Sequence, residues 1–315
     1  MQQAEKPDLP ISHNKKRISR STLWRQIREK SLSTFFLTNG LIAIVILLGI
    51  FSLLFIESFP AIRKIGLMEF LTKSVWNPTS FVKESYGILS MVVSTLMVTF
   101  GALLISVPVG IGCAAYLADV ANPRIREIAK PVVEILAGIP SVVIGFLGIV
   151  LVGPLLAKVF GVSNGLNAVN GSVLLAVMSL PTIISISEDA IVSVPQEFKN
   201  ASLALGANQW QTLIRVTLPA SLSGIVAAVM LGMGRAIGET MTVLMACGNA
   251  PAMPHSFLDS VRTMTATIAI ELGETVQGDI HYQSLFVIGF VLFLMTFLVN
   301  LISDMVLQRF QRRGL

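Results

Sequence analysis

Arg235 and Glu239 are the only charged residues between positions 216 and 258 of this chain. On a helix, residues four apart share a face about one turn from each other. Arginine preceding glutamate is the less favourable order for a local pair, so helix support alone explains the spacing poorly. An ionisable group inside a bilayer costs at least ~2.5–3.5 kcal/mol, so both side chains are expected to face protein or water rather than lipid. Two readings stand side by side. In one, the pair is a structural ion pair that holds two helices together. In the other, Arg235 meets an anion, because a guanidinium can donate two parallel hydrogen bonds to a tetrahedral oxyanion. Glu239 would repel a fully ionised anion but could accept a hydrogen bond from a protonated oxygen. Phosphate keeps such a proton at neutral pH and sulfate does not. Alternatively, Glu239 simply neutralises Arg235 when the site is empty.

The elements that must position this pair are membrane helices. The chain has 315 residues, 53% of them hydrophobic and 13% charged, with a mean hydropathy of +0.76. A soluble domain carries about 25% charged residues. A helix of about 20 apolar residues crosses the roughly 30 Å hydrocarbon core. The charge-free stretches predict an all-α polytopic protein with six spans, near 36–57, 88–118, 131–156, 169–191, 221–247 and 283–307. The first span and its following loop read as an appendage to the other five. That first run follows a polar tail of about 30 residues and lacks a small-residue cleavage site, so no cleavable signal is expected.

Charge sets the orientation. With the N-terminus inside, 16 of the 23 basic residues fall on cytoplasmic pieces and 6 outside. The positive-inside rule then predicts both termini in the cytoplasm. The same clustering makes the pI near 9.4 a topology signal rather than a nucleic-acid footprint. The tail around Lys15, Lys16, Arg17 and Trp24 is either disordered or a basic amphipathic helix on the inner leaflet. Residues 1–35 are thus expected as a cytoplasmic tail, 36–85 as the first span with its extracytoplasmic loop, 86–308 as the transport domain and 309–315 as a second tail.

Several spans carry breaks or small residues. The stretch 85–118 would be about 50 Å long as one helix, so a bend is expected at Pro108. Gly138, Pro140 and Gly145 interrupt the third span. Broken helices are tolerated only where freed backbone groups face protein or a wet cavity, so these positions are either pathway lining or packing kinks. Gly224, Ala228, Gly232 and Ala236 recur every four residues, and Gly234 and Gly238 form a second small pair, which predicts close helix contact. Asp119, Glu134, Glu188, Asp189 and Asp304 read as solvated or helix-end charges. Cys113 and Cys247 read as small packing residues. His13, His255 and His281 are scattered, and no metal-ligand spacing appears.

Between two apolar segments, residues 192–220 open into a polar loop with built-in structure. Its pattern is helix, glycine turn at Gly206, second amphipathic helix, then Leu218-Pro219. Such a loop is a docking device rather than a connector.

The segment resembles the EAA loop of ABC-importer permeases: Glu-Ala-Ala, three residues, Gly, nine residues, Ile, one residue, Leu-Pro. Here it reads Asn200-Ala201-Ser202, Gly206 followed by Ala207, Val216 and Leu218-Pro219. Every spacing fits, and Asn200 stands where the motif carries its glutamate. Further segments are similar to phosphate-specific permeases of PstC type: Tyr86-Gly87-Ile88, the run from Glu134 to Val143, Gly234 to Met241, and Cys247 to Pro251. Thr240-Met241-Thr242 favours that type over its partner permease, which usually reads Gly-Glu-Thr-Ala-Pro after the arginine.

The resemblance implies a type I importer with a core of spans two to six. It implies a second permease of PstA type, two ATP-binding subunits docked at the cytoplasmic loop, and an extracytoplasmic phosphate-binding protein. It places the chain in a bacterial inner membrane, with inorganic phosphate as cargo and Arg235, Glu239 and Thr240 on its path. ATP is expected on the partner, since the chain has no Gly-x-x-x-x-Gly-Lys-Ser/Thr loop. No cofactor and no catalytic constellation are expected in the chain itself. The alternatives are a permease for molybdate or sulfate, an ion-coupled transporter or channel, and a membrane signalling scaffold.

Overall fold

The computed structural model describes residues 20–80 and 83–312; side chains of residues 20–27 and of several residues after 305 are left aside. The tail around Lys15 therefore lies outside the described residues. The chain divides into two compact units, residues 1–52 and 53–315. The described part of the first is helical throughout, and its apolar side chains from Leu32 to Ile50 are exposed. It is the beginning of α1 (Arg20–Ile65).

In the second unit, α1 ends beside α2 (Leu67–Thr72) and an antiparallel hairpin, β1 (Trp76–Asn77) and β2 (Ser85–Tyr86). Ala61, Phe70, Trp76, Tyr86 and Ile88 bury together with Met264 and Leu285. Gly87 is required here, because a Cβ would lie 2.3 Å from the Lys73 carbonyl oxygen. The loop after the first span is thus a packed insert.

Helix α3 (Leu89–Val120) packs along α6 (Ala168–Val192). It continues unbroken through Pro108 and widens into a π-helical turn over Tyr116–Val120. Small residues allow the contact: a Cβ on Gly101 would meet Ser172, and one on Gly110 would meet Ile183.

The third span differs from expectation. Gly138 and Pro140 separate an amphipathic α4 (Pro123–Ala137) from the span proper, α5 (Ser141–Phe160). The proline ring fixes its own φ and drives the preceding residue out of the helical region. The apolar run therefore crosses as 141–160 rather than 131–156. A π-helical turn at Gly148–Val152 is met by the fully buried Asn170, whose amide donates to the Gly148 carbonyl at 3.0 Å.

After α6 come α7 (Gln196–Ala204) and α8 (Gln209–Ala220), and α8 bends by 69° into α9 (Leu222–Gly238). Helix α10 (Met241–Ala246) follows, and α11 (Met264–Glu271) folds between it and the last helix. The last helix is α12 (Ile280–Arg312). Among the described residues, five helices are long and apolar enough to cross a membrane, or six with the bent pair counted as one. The expected multi-pass all-α architecture is therefore present.

Candidate functional site

Arg235 and Glu239 do not share one helix. Helix α9 ends at Gly238, and Glu239 is extended at φ −69°, ψ 134°. The Glu239 carboxylate instead turns toward α10, where Oε1 lies 3.4 Å from the Thr242 amide. Arg235 occupies the last turn of α9 and Glu239 stands before the first turn of α10. Each charge sits where the backbone dipole of its helix favours it, cation at a C-terminus and anion at an N-terminus. This explains the arginine-before-glutamate order that suits a continuous helix poorly.

Among the described residues, the two form no ion pair, and the exposed Arg235 guanidinium has no acceptor. Its surroundings are open. A Cβ on Gly238 would meet nothing within 4 Å, and one on Gly234 only Asn300 Oδ1 at 3.9 Å. The two glycine sets therefore do different things. Gly224 and Gly232 face α6, where a Cβ would come within 2.3 Å of Ala190 and 2.8 Å of Ile183. Gly238 packs on nothing among the described residues, where close contact was expected of it.

The break is held from several sides. Thr242 donates to the Ser141 carbonyl at 3.1 Å, tying α10 to the start of α5. Gly145 of α5 lies against Met245 and the Met241 carbonyl. Thr265 donates to the Glu239 carbonyl at 2.8 Å. Thr240 is half-buried between Glu239 and α10. The Gly138–Pro140 interruption precedes Ser141 and thus adjoins the same place. Pro108 is exposed on α3.

The polar loop folds as its sequence predicts. Gly206 closes α7 at φ +88°, a left-handed conformation that costs a residue with a Cβ about 1–2 kcal/mol. The Gly206 and Ala207 amides donate to the Leu203 and Ser202 carbonyls. Asn208 then caps α8, with reciprocal bonds between Asn208 and Gln211. Ser202 and Thr212 hydroxyls meet at 2.9 Å and set the angle between the two helices. Asn200 and Ala201 are exposed, while Leu218 and Pro219 stand half-buried where α8 turns into α9. Apolar side chains crowd the outer surface: Leu205 is 90% exposed, with Phe198, Leu203 and Trp210 also exposed. Beside them lies a groove of about 390 Å³ lined by Asp119, Lys199, Leu203, Trp210 and Leu213. Lys199 pairs with Asp119, fastening α7 to the end of α3.

Two charge clusters were not legible beforehand. Glu188, read as a solvated or helix-end charge, stands near the end of α6 but is 1% exposed and accepts from Arg126 at 2.8 Å, with Lys130 at 3.5 Å. Its signal lay in α4, where Arg126 and Lys130 recur at i, i+4. In the second cluster, Glu271 accepts from Trp76 Nε1 at 2.9 Å and Arg262 Nη1 at 2.8 Å, and His281 Nε2 lies at 2.9 Å. This cluster joins the hairpin, α11 and α12, and no spacing could have announced it.

A helix interrupted within its apolar stretch and a folded polar loop, in a chain of packed helices long enough to cross a membrane, mark a multi-pass membrane protein. Residues 106–313 match the family model described as binding-protein-dependent transport system inner membrane component. The chain belongs to that family, as a multi-pass membrane permease that is not itself catalytic. It is 38% identical to a probable ABC transporter permease protein, YqgH, of Bacillus subtilis, over 83% of each chain. It is 33% identical to the phosphate transport system permease protein PstC of Mesorhizobium japonicum, over 92% of this chain and 96% of that one. PstC 1 of Mycobacterium tuberculosis is 34% identical over 82% and 87%. In fold it is similar to a subunit of a bacterial alginate ABC transporter, with TM-score 0.61, 17% identity and coverage of 91% and 97%. It is likewise similar to a chain of the MetNI methionine transporter, with TM-score 0.57, 20% identity and coverage of 71% and 95%. The resemblance read from the loop and the 234–241 segment is borne out.

Proposed function

We propose that this chain is the membrane-spanning subunit of an ATP-driven importer that moves inorganic phosphate inward. The observation that carries the reading is Arg235: a guanidinium without an acceptor among the described residues, at a helix break, flanked by glycines that leave room for a ligand. The names of the relatives given above favour phosphate among oxyanions. An arginine fork suits its tetrahedral oxygens. Glu239 keeps one carboxylate oxygen free of the α10 amide, and that oxygen would accept a hydrogen bond from the oxygen on which phosphate retains its proton.

The partners follow from the same reading. A second permease of PstA type completes the pathway. Two ATP-binding subunits seat the Gly206 turn and its exposed Leu205 and Trp210, and their closure moves the spans as rigid bodies. ATP binds there and not here. An extracytoplasmic phosphate-binding protein delivers the cargo to the Glu271 end. Both termini lie in the cytoplasm, as the basic residues demand. Residues 86–308 form the transport domain and 192–220 its coupling loop, with Asn200, Ala201, Ser202, Gly206, Ala207, Leu218 and Pro219 as the contact and hinge set.

The test is ATP-dependent uptake by the reconstituted complex, with phosphate, sulfate and molybdate in competition. Saturable phosphate uptake, lost in Arg235→Gln, is expected. Glu239→Gln is expected to weaken the preference for phosphate over sulfate. Uptake indifferent to phosphate would overturn the cargo assignment.

A further inference from the structure

Helix α9 stops at Gly238 within an apolar stretch, so its last carbonyls need partners from elsewhere. Within the break, Glu239 N–H reaches the Ala236 carbonyl only at 3.4 Å, and the Thr240 hydroxyl reaches the Gly238 carbonyl only at 3.5 Å. The short, strong bond comes from outside: Thr265 Oγ1 donates to the Glu239 carbonyl at 2.8 Å. Thr265 is 7% exposed.

Proton counting gives this bond a direction. A threonine hydroxyl has one proton. Thr265 spends it on Glu239, so the 3.1 Å contact with Thr263 Oγ1 must be donated by Thr263. Thr263 in turn accepts from the Ala266 amide at 3.3 Å, as the N-cap of α11. A relay thus runs from the first turn of α11 through two hydroxyls to the break, and such chains strengthen each member.

Helix α11 is the fixed side of that contact. The Met264 amide donates to Thr95 Oγ1 of α3 at 3.1 Å. At its other end Glu271 is clasped by Trp76, Arg262 and His281. The compliant side is the two-residue link of Glu239 and Thr240.

We propose that Thr265 is a positioning residue, which fixes the Glu239–Thr240 peptide from α11 and so sets where Arg235 and the Glu239 carboxylate stand relative to the cargo. The proposal rests on the reading of Arg235 as the anion-contacting group. Losing the hydroxyl lets the link rotate, which weakens cargo engagement while leaving the docking loop and turnover machinery as they are.

The experiment is phosphate uptake by the full complex carrying Thr265→Val, Thr265→Ser or Arg235→Gln, at matched amounts in the membrane. Thr265→Val is isosteric but cannot donate. It is expected to raise the half-saturating phosphate concentration about three- to tenfold, with the maximal rate within about twofold, for loss of one neutral hydrogen bond. Thr265→Ser restores the donor and is expected to match the parent. If Thr265→Val fails to assemble, Thr265→Ala reads the same loss. A parent-like half-saturation in the donorless variant, or a serine variant as defective as it, overturns the proposal. Arg235→Gln separates the two layers. If it abolishes uptake while Thr265→Val is silent, only the positioning role falls. If it leaves uptake unchanged, the Arg235 reading falls and this proposal with it.

Discussion

Arg126 Nη2 lies 2.8 Å from Glu188 Oε1, and the two side chains are 39% and 1% exposed. This pair pins amphipathic α4 to the end of α6, a few residues before the polar loop begins. The asymmetry in exposure decides what mutation does. Glu188→Ala frees Arg126 and Lys130, which are both more than a third exposed and rehydrate, so the loss should be about 1–3 kcal/mol. Arg126→Ala with Lys130→Ala strands a buried carboxylate, and that should cost about 3–5 kcal/mol. Thermal unfolding in detergent should rank the double cation variant below the acid variant.

Gly206 has φ +88° and open space around the position of a Cβ. Gly206→Ala should therefore act through backbone strain alone, at about 1–2 kcal/mol, while Gly206→Asn should be milder. Limited proteolysis of the loop between α7 and α8 should report faster cleavage in the alanine variant. If the turn seats an ATPase, co-purification of that subunit should fall in the same order.

Gly224 and Gly238 should respond oppositely to alanine. At 224 the new Cβ meets Ala190 at 2.3 Å, and overpacking there costs about 1–3 kcal/mol. At 238 nothing lies within 4 Å, so the melting temperature should hold. Uptake, by contrast, should suffer in Gly238→Ala if cargo passes beside Arg235. A stable Gly238→Ala with parent-like uptake would speak against cargo at that face.

Asp259 Oδ2 accepts from the His255 amide at 2.8 Å and the Ser256 amide at 2.9 Å. Those bonds favour the carboxylate and hold its pKa below the ordinary value. A depressed acid stabilises the fold above its unfolded pKa, and the contribution is lost as pH falls through the folded one. Asp259→Asn should therefore lower the melting temperature at neutral pH, and the gap to the parent should close in acid. A gap that persists once the carboxylate is protonated would assign the effect to packing instead.

Much of this protein follows from local rules. A run of apolar residues in a bilayer must be helical whatever its neighbours, so the spans of α1, α3, α6 and α12 were legible. Gly206 and Leu218-Pro219 are equally local, because only backbone φ decides them. Residues 134–140 and 234–241 were harder. Apolarity ran across both, and whether a proline or glycine bends a helix or ends it depends on what receives the freed carbonyls.

Tertiary structure supplied those receivers. Thr265 comes from 26 positions downstream of Glu239, and Ser141 from 101 positions upstream of Thr242. It also buried Glu188 at the end of α6 against Arg126, and folded α11 between α10 and α12. The residue types of the site were thus set by the sequence itself: an arginine, a glutamate and glycines in an apolar stretch. Their arrangement was not, because a charge or carbonyl inside a membrane protein settles against partners that chain spacing does not reveal.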